Sequence, residues 1–170
     1  MKRIIALMMM VLAVAVLDSK AQDNKPKSPK ETVTGSIEGA NIEIVYCRPS
    51  ARGRKMLGEK EPYGQVWRTG ANAATTIKFD KAVTVEGQAL AAGTYALFTI
   101  PNESEWVIIF NKKTDQWGAY DYEKNKAQDA LKVTVKADKT PSFVETFTIG
   151  VDKNQVNLQW ENTAVAFKVR

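Results

Sequence analysis

Apolar and polar residues alternate with a period of two along most of this chain. Ile42, Ile44 and Tyr46 alternate with Asn41, Glu43 and Val45, Ile77 and Phe79 with Thr76 and Lys78, and Val83 and Val85 with Ala82 and Thr84. Successive side chains of a strand point to opposite faces, so this pattern predicts strands with one face buried. Glu86-Gly87 turns the chain toward a further strand over Gly93–Ile100. Trp106 to Phe110 is apolar on both faces and reads as a central strand covered on two sides. Leu131, Val133 and Val135 resume the alternation, and Phe143, Phe147, Ile149 and Val151 share one face of the next segment. Asp152-Lys153-Asn154 and Asn162-Thr163 then read as turns of a closing antiparallel meander, with strands at Val156–Trp160 and Val165–Val169. Only Glu123–Ala130 reads as a helical turn. Roughly ten strands with short connections and no internal repeat predict an all-β fold, a single antiparallel β-sandwich or jelly-roll-like domain.

One stretch breaks the pattern. Arg48 to Asn72 contains Pro49, Gly53, Gly58, Pro62, Gly64 and Gly70 and cannot run as a long strand or helix. Loops of that length inside a compact domain are either functional or disordered. Met56, Leu57, Tyr63, Val66 and Trp67 give this one apolar anchors, so an ordered loop lying across a sheet is expected.

The amino terminus has a different character. Lys2 and Arg3 precede an unbroken apolar run from Ile4 to Leu17, and Ser19-Lys20-Ala21 supplies small residues where a signal peptidase reads. Such a run is too short to span ~30 Å of hydrocarbon at ~1.5 Å per residue. The expected division is a signal peptide at 1–21, a polar Lys- and Pro-rich tether at 22–32 and one β domain at 33–170. An exported protein, periplasmic or secreted, with no integral membrane segment after cleavage, is the consequence. No cysteine follows the apolar run, so no lipid anchor is expected there.

Charge sharpens the picture. After residue 21 the chain holds 21 basic and 18 acidic residues, a net of +3, whereas residues 48–68 alone hold six basic and two acidic residues, a net of +4. The positive excess is therefore local. A nucleic-acid binder spreads basic residues over a face with interleaved aromatics, so nucleic acid is not an expected partner. Cys47 is the only cysteine and cannot form an intramolecular disulfide. At the end of the strand Ile42–Tyr46 it reads as a small apolar filler, with a reactive thiol as the competing reading.

The chain has no histidine. Its absence removes the commonest general base, the Ser-His-Asp triad, a Cys–His nucleophile and imidazole ligands for zinc. No calcium loop or phosphate-binding glycine loop appears, and no metal or cofactor is expected. Paired carboxylates for glycoside hydrolysis leave no local motif, so that chemistry stays open. The positive signal is the loop. Arg48, Arg52, Arg54 and Arg68, four of six arginines in the chain, fall in it with Trp67, Thr69 and Asn72. A guanidinium is a planar fork of donors matched to carboxylate or phosphate. The expectation is a shared hollow in which Arg48, Arg52, Arg54 and Arg68, with Trp67 and Asn72, hold an anionic small molecule or a glycan. For any single arginine the competing reading is structural, through loop carbonyls or, for Arg68, through Glu59 or Glu61. Tryptophans raise a sugar-stacking surface as well. Trp106 and Trp160 lie in periodic strands and read as core. Trp117, beside Tyr120 and Tyr122, is the tryptophan best placed for exposure, although core packing is the leading reading even there.

The segments YCRPSARGRKMLG (Tyr46–Gly58), PYGQVWRTGANAATT (Pro62–Thr76), AGTYALFTIP (Ala92–Pro101) and WGAY (Trp117–Tyr120) resemble the family called domain of unknown function 2911. The likeness runs from about Ser28 to Val169 and rests on four motifs in order. It implies an exported, mostly β-sheet bacterial protein with no activity to carry over and no catalytic residue. Its signature takes in Arg48, Pro49, Gly53, Arg54, Trp67, Arg68, Gly70, Ala71 and Asn72. The resemblance also implies Ser or Gly where Cys47 stands, which weakens a catalytic-thiol reading. A binding module for an anionic ligand or glycan is the leading expectation. An envelope structural or interaction protein, or a carboxylate-dependent enzyme on polysaccharide, are the alternatives.

Overall fold

The computed structural model describes residues 27–170, so the signal-peptide reading of 1–21 and the start of the tether lie outside the described residues. Nine strands follow: β1 Lys30–Ile37, β2 Ala40–Cys47, β3 Thr75–Phe79, β4 Val83–Val85, β5 Gln88–Leu90, β6 Gly93–Ile100, β7 Glu105–Asn111, β8 Asp129–Val151 and β9 Gln155–Lys168. A single helical turn, α1 (Tyr122–Asn125), and a 3-10 turn (Lys126–Gln128) separate β7 from β8. Lys30 to Thr32, assigned above to the tether, are the first residues of β1.

The all-β class holds. Seven strands form one antiparallel sheet in the order β1-β2-β3-β6-β7-β8-β9, and β4-β5 is a separate hairpin turning at Glu86-Gly87, both at positive φ. Spatial order follows chain order, so the sheet is a meander and lacks the two Greek keys of a jelly roll. Two strands are longer than the pattern suggests. β8 pairs with β7 over Asp129–Lys136 and then with β9 over Ala137–Val151, with register shifts around Val144. Asn162-Thr163, expected to turn, lies within β9, where Glu161 at φ 53° marks an irregularity opposite Val144. Such bulges bend long strands, and here the bend curls the sheet nearly shut. At the seam β8 reaches β1 so closely that a Cβ on Gly35 would lie 2.5 Å from Val151 Cγ1.

Alternation places Ile42, Ile44, Tyr46, Ile77, Phe79, Trp106, Ile108, Phe110, Val133, Phe147, Leu158, Trp160 and Phe167 inside the curl. Trp106 and Trp160 are core residues, as their periodicity indicated. A second, smaller core lies on the outer face, where Ala74, Ala96, Phe98, Ile109 and Tyr122 pack together. Tyr122 of α1 meets Phe98 edge-on with ring centroids 5.2 Å apart. The two-sided burial expected around Trp106–Phe110 arises because the segment between β7 and β8 folds back over the sheet.

Polar bonds hold that segment in place. Buried Asn111 donates from Nδ2 to the Asn125 carbonyl at 2.9 Å and to Asp129 Oδ1 at 2.7 Å, and its Oδ1 accepts from the Lys113 amide at 2.9 Å. Tyr122 donates its hydroxyl to Asp129 Oδ2 at 2.7 Å, and Lys132 pairs with the same oxygen at 2.9 Å. Gln116, also buried, donates to the Lys113 carbonyl at 2.6 Å. Buried polar groups cost free energy unless bonded, so a fully bonded set of this kind specifies one conformation.

Candidate functional site

The Arg-rich loop starts by extending the sheet. The Phe147 amide donates to the Pro49 carbonyl at 2.9 Å, and the Ala51 amide donates to the Glu145 carbonyl at 2.9 Å. Ser50 and Thr146 hydroxyls bond at 2.8 Å between them. Across the same seam the Tyr46 hydroxyl accepts from the Ile149 amide at 3.0 Å. The loop therefore closes the gap between β2 and β8 that the strands themselves leave open.

Each arginine has its own local partners. Arg48 donates from Nη1 to Glu31 Oε2 at 2.6 Å, from Nη2 to Thr148 Oγ1 at 2.7 Å and from Nε to the Phe147 carbonyl at 3.2 Å. Its fork ties β1 to β8. Arg52, at φ 52°, donates from Nη2 to the Lys27 carbonyl at 2.9 Å, and its amide donates to Glu145 Oε1 at 2.6 Å. Arg54 folds back on its own turn, with Nε to the Ala51 carbonyl at 2.9 Å and Nη2 to the Ser50 carbonyl at 3.0 Å. Arg68 has a buried Nε with no hydrogen-bond partner among the described residues. Burial pushes the Glu61 carboxyl above its ordinary range, and the nearby Arg68 charge pulls it back down by less.

The expected shared hollow does not form from these four groups. Arg48 is bonded at the seam, and Arg52 reaches Lys27 near the start of β1. Trp67 is also placed elsewhere than expected. It is 2% exposed, stacks on Trp160 with centroids 5.5 Å apart and an interplanar angle of 14°, and donates Nε1 to the Gly70 carbonyl at 3.0 Å. No face of it is open to a ligand. The other apolar anchors, Met56 and Leu57, are buried as the pattern predicted.

Arg54 lines a cleft of about 430 Å³ together with Lys55, Leu57, Tyr63, Phe143 and Glu161, and the other three arginines are not part of it. Phe143 is 52% exposed. The strand reading put it on the face of Phe147, but the register shift near Val144 turns it outward. Pro141 was the available signal, since proline inside a strand marks an edge or a bulge. Glu161, buried at the β9 irregularity, accepts the Met56 amide on Oε1 at 2.8 Å and the Leu57 amide on Oε2 at 2.9 Å. It clamps the floor of the loop, and no local motif announced it. Burial raises the Tyr63 phenol above its ordinary value, and the charges of Glu103 and Glu161 add to the shift.

Asn72 belongs to another place. At φ 62° its carbonyl accepts the Gly118 amide at 3.0 Å, and Ala73 bridges to Trp117. A second cleft of about 410 Å³ opens there on the outer face of β1, β2 and β3, lined among others by Lys30, Cys47, Asn72, Thr76, Thr114 and Trp117. Trp117 is 65% exposed and Tyr120 79% exposed. Cys47 is half-buried in this wall rather than in the core.

Among the described residues no group of three or more acidic or cysteine side chains is arranged to hold a metal ion, and no helix is long and apolar enough to cross a membrane. Residues 28–169 match the family model described as "Protein of unknown function (DUF2911)", and the arginine loop and both clefts fall within that span. No curated protein and no solved structure matches the chain.

Proposed function

The chain belongs to the DUF2911 family of proteins of unknown function, and we propose that it is an exported binding module, periplasmic or secreted, holding a small anionic ligand at the Arg54 cleft. The observation that carries this reading is the pairing of Arg54 and Lys55 with the half-exposed Phe143 and Tyr63 around one cavity. Bonds from Nε and Nη2 to two carbonyls fix the Arg54 fork and leave Nη1 without a partner among the described residues. A fixed fork loses little freedom on meeting an anion. The two aromatic walls add a surface for an apolar body. A carboxylate or phosphate carried on an aromatic or aliphatic group fits both features. Charge-assisted bonds contribute about 1.5–3 kcal/mol each, so two of them with modest apolar burial support a Kd near ~10–100 μM. Export is supported by the charged start, apolar run and small-residue site of residues 1–21.

Among the described residues Glu161 is the only carboxylate lining this cleft, and both its oxygens accept backbone amides. A paired-carboxylate hydrolysis would need a second acid facing it. Binding is therefore the better-supported reading of this place. Isothermal titration with phenyl phosphate and with benzoate tests it. Saturable heat is expected for the wild type, weakened about tenfold or more in Phe143→Ala and Lys55→Ala. Wild-type protein that gives no heat with either probe contradicts the assignment.

A further inference from the structure

We infer that the Trp117 cleft is a second, independent binding site, and that its ligand is a neutral pyranose glycan. It shares no lining residue with the Arg54 cleft. Three observations support it. The indole is 65% exposed, although such a surface is the kind a chain ordinarily buries. Its backbone is nonetheless fixed: the Ala74 amide donates to the Gln116 carbonyl at 2.9 Å and the Gly118 amide to the Asn72 carbonyl at 3.0 Å. Tyr120 packs its ring on Gly118, where a Cβ would come within 2.8 Å of it. The aromatic face is thus presented on a rigid frame.

The polar lining supplies the third observation. Lys30, Asn72, Thr76 and Thr114 make no side-chain hydrogen bond among the described residues. Register explains their convergence: Lys30 lies opposite Cys47 and Thr76 opposite Val45, and directly opposed residues share a face of the sheet. An aromatic wall ringed by unengaged hydroxyl, amide and ammonium groups matches a pyranose, whose C–H face is apolar and whose rim is hydroxylated. One cation alone does not suit a polyanion, and a cavity of about 410 Å³ is within the size of small-ligand sites.

Cys47, the sole cysteine, lies in the same wall and serves as a reporter. The rate of its modification by a thiol reagent is to be measured with cellulose, chitin and starch oligosaccharides, alongside tryptophan fluorescence. At least one oligosaccharide is expected to slow modification saturably and to shift the fluorescence. Trp117→Ala should abolish both effects, Asn72→Gly (which keeps the backbone and removes the amide) should weaken binding about tenfold, and Phe143→Ala should leave both intact. Absence of protection by all three sugars, or undiminished protection in Trp117→Ala, overturns the proposal.

Discussion

The Arg-rich loop at 48–72 and the excursion at 112–128 both cross the curled sheet, yet they use their polar residues in opposite ways. In the first, most of the bonded charges tie the chain to itself: Arg48 stitches β1 to β8, the exposed Arg54 braces its own turn while still lining a cleft, and Glu161 holds two loop amides from below. In the second, a buried frame of Asn111, Gln116 and Asp129 bears the structural role, and Trp117 and Tyr120 face solvent. The dense run of charge here therefore serves first to hold the chain, and of it Arg54 and Lys55 are left facing a cleft. In the excursion the frame is buried and the candidate ligand surface is made by side chains without internal partners.

The largest expected effect strikes the loop's apolar anchor. Trp67→Ala should lower the unfolding free energy by about 3–5 kcal/mol in urea titration, as for a deleted core tryptophan. An effect on ligand binding with stability intact would return Trp67 to the ligand side of the comparison. Glu161→Ala strips two buried amides of their acceptor, and a loss of about 2–4 kcal/mol is expected. Arg48→Ala should cost roughly 1–2 kcal/mol, with little recovery in Arg48→Lys because an ammonium cannot reproduce three divergent bonds. Circular-dichroism melts of both variants would show it.

Glu61 sharpens the contrast through pH. Burial raises its pKa in the folded protein above the ordinary 4.5. Between that value and the raised one the folded state holds more protons than the unfolded state, so stability falls as pH rises through this window. Below the window both states are protonated and the penalty vanishes; above it the penalty is complete. Glu61→Gln should therefore flatten this part of the pH–stability curve and slightly raise the melting temperature at neutral pH. A lower melting temperature there would mean that Arg68 attraction outweighs burial. Trp117→Ala is expected to change stability least, by no more than about 0.5 kcal/mol.

Much of the fold was legible because period-two alternation is a local property. β2, β3 and β4 fall where the apolar residues alternate, β6 covers the expected Gly93–Ile100, and the Glu86-Gly87 turn and the helical turn near Glu123 stand where they were read. The junctions were not. Asn162-Thr163 has the composition of a turn but continues β9, because the closing sheet needs a bend rather than a reversal there. The partners of Arg48 are Glu31, Phe147 and Thr148, set by long-range register that no motif encodes. For the same reason Asn72, grouped with Arg54 in the sequence reading, lines a different cleft from it. Arg54 and Asn72 were singled out as ligand groups and each lines a cleft, though not the same one, and the turn-rich neighbours of Trp117 made it the tryptophan best placed for exposure.

Paired urea titrations of Arg48→Ala and Trp117→Ala test the central contrast most directly. A loss of about 1–2 kcal/mol is expected for the first and no more than about 0.5 kcal/mol for the second. An unchanged Arg48→Ala beside a destabilised Trp117→Ala would contradict that contrast, moving the structural role from Arg48 to the exposed indole of the excursion.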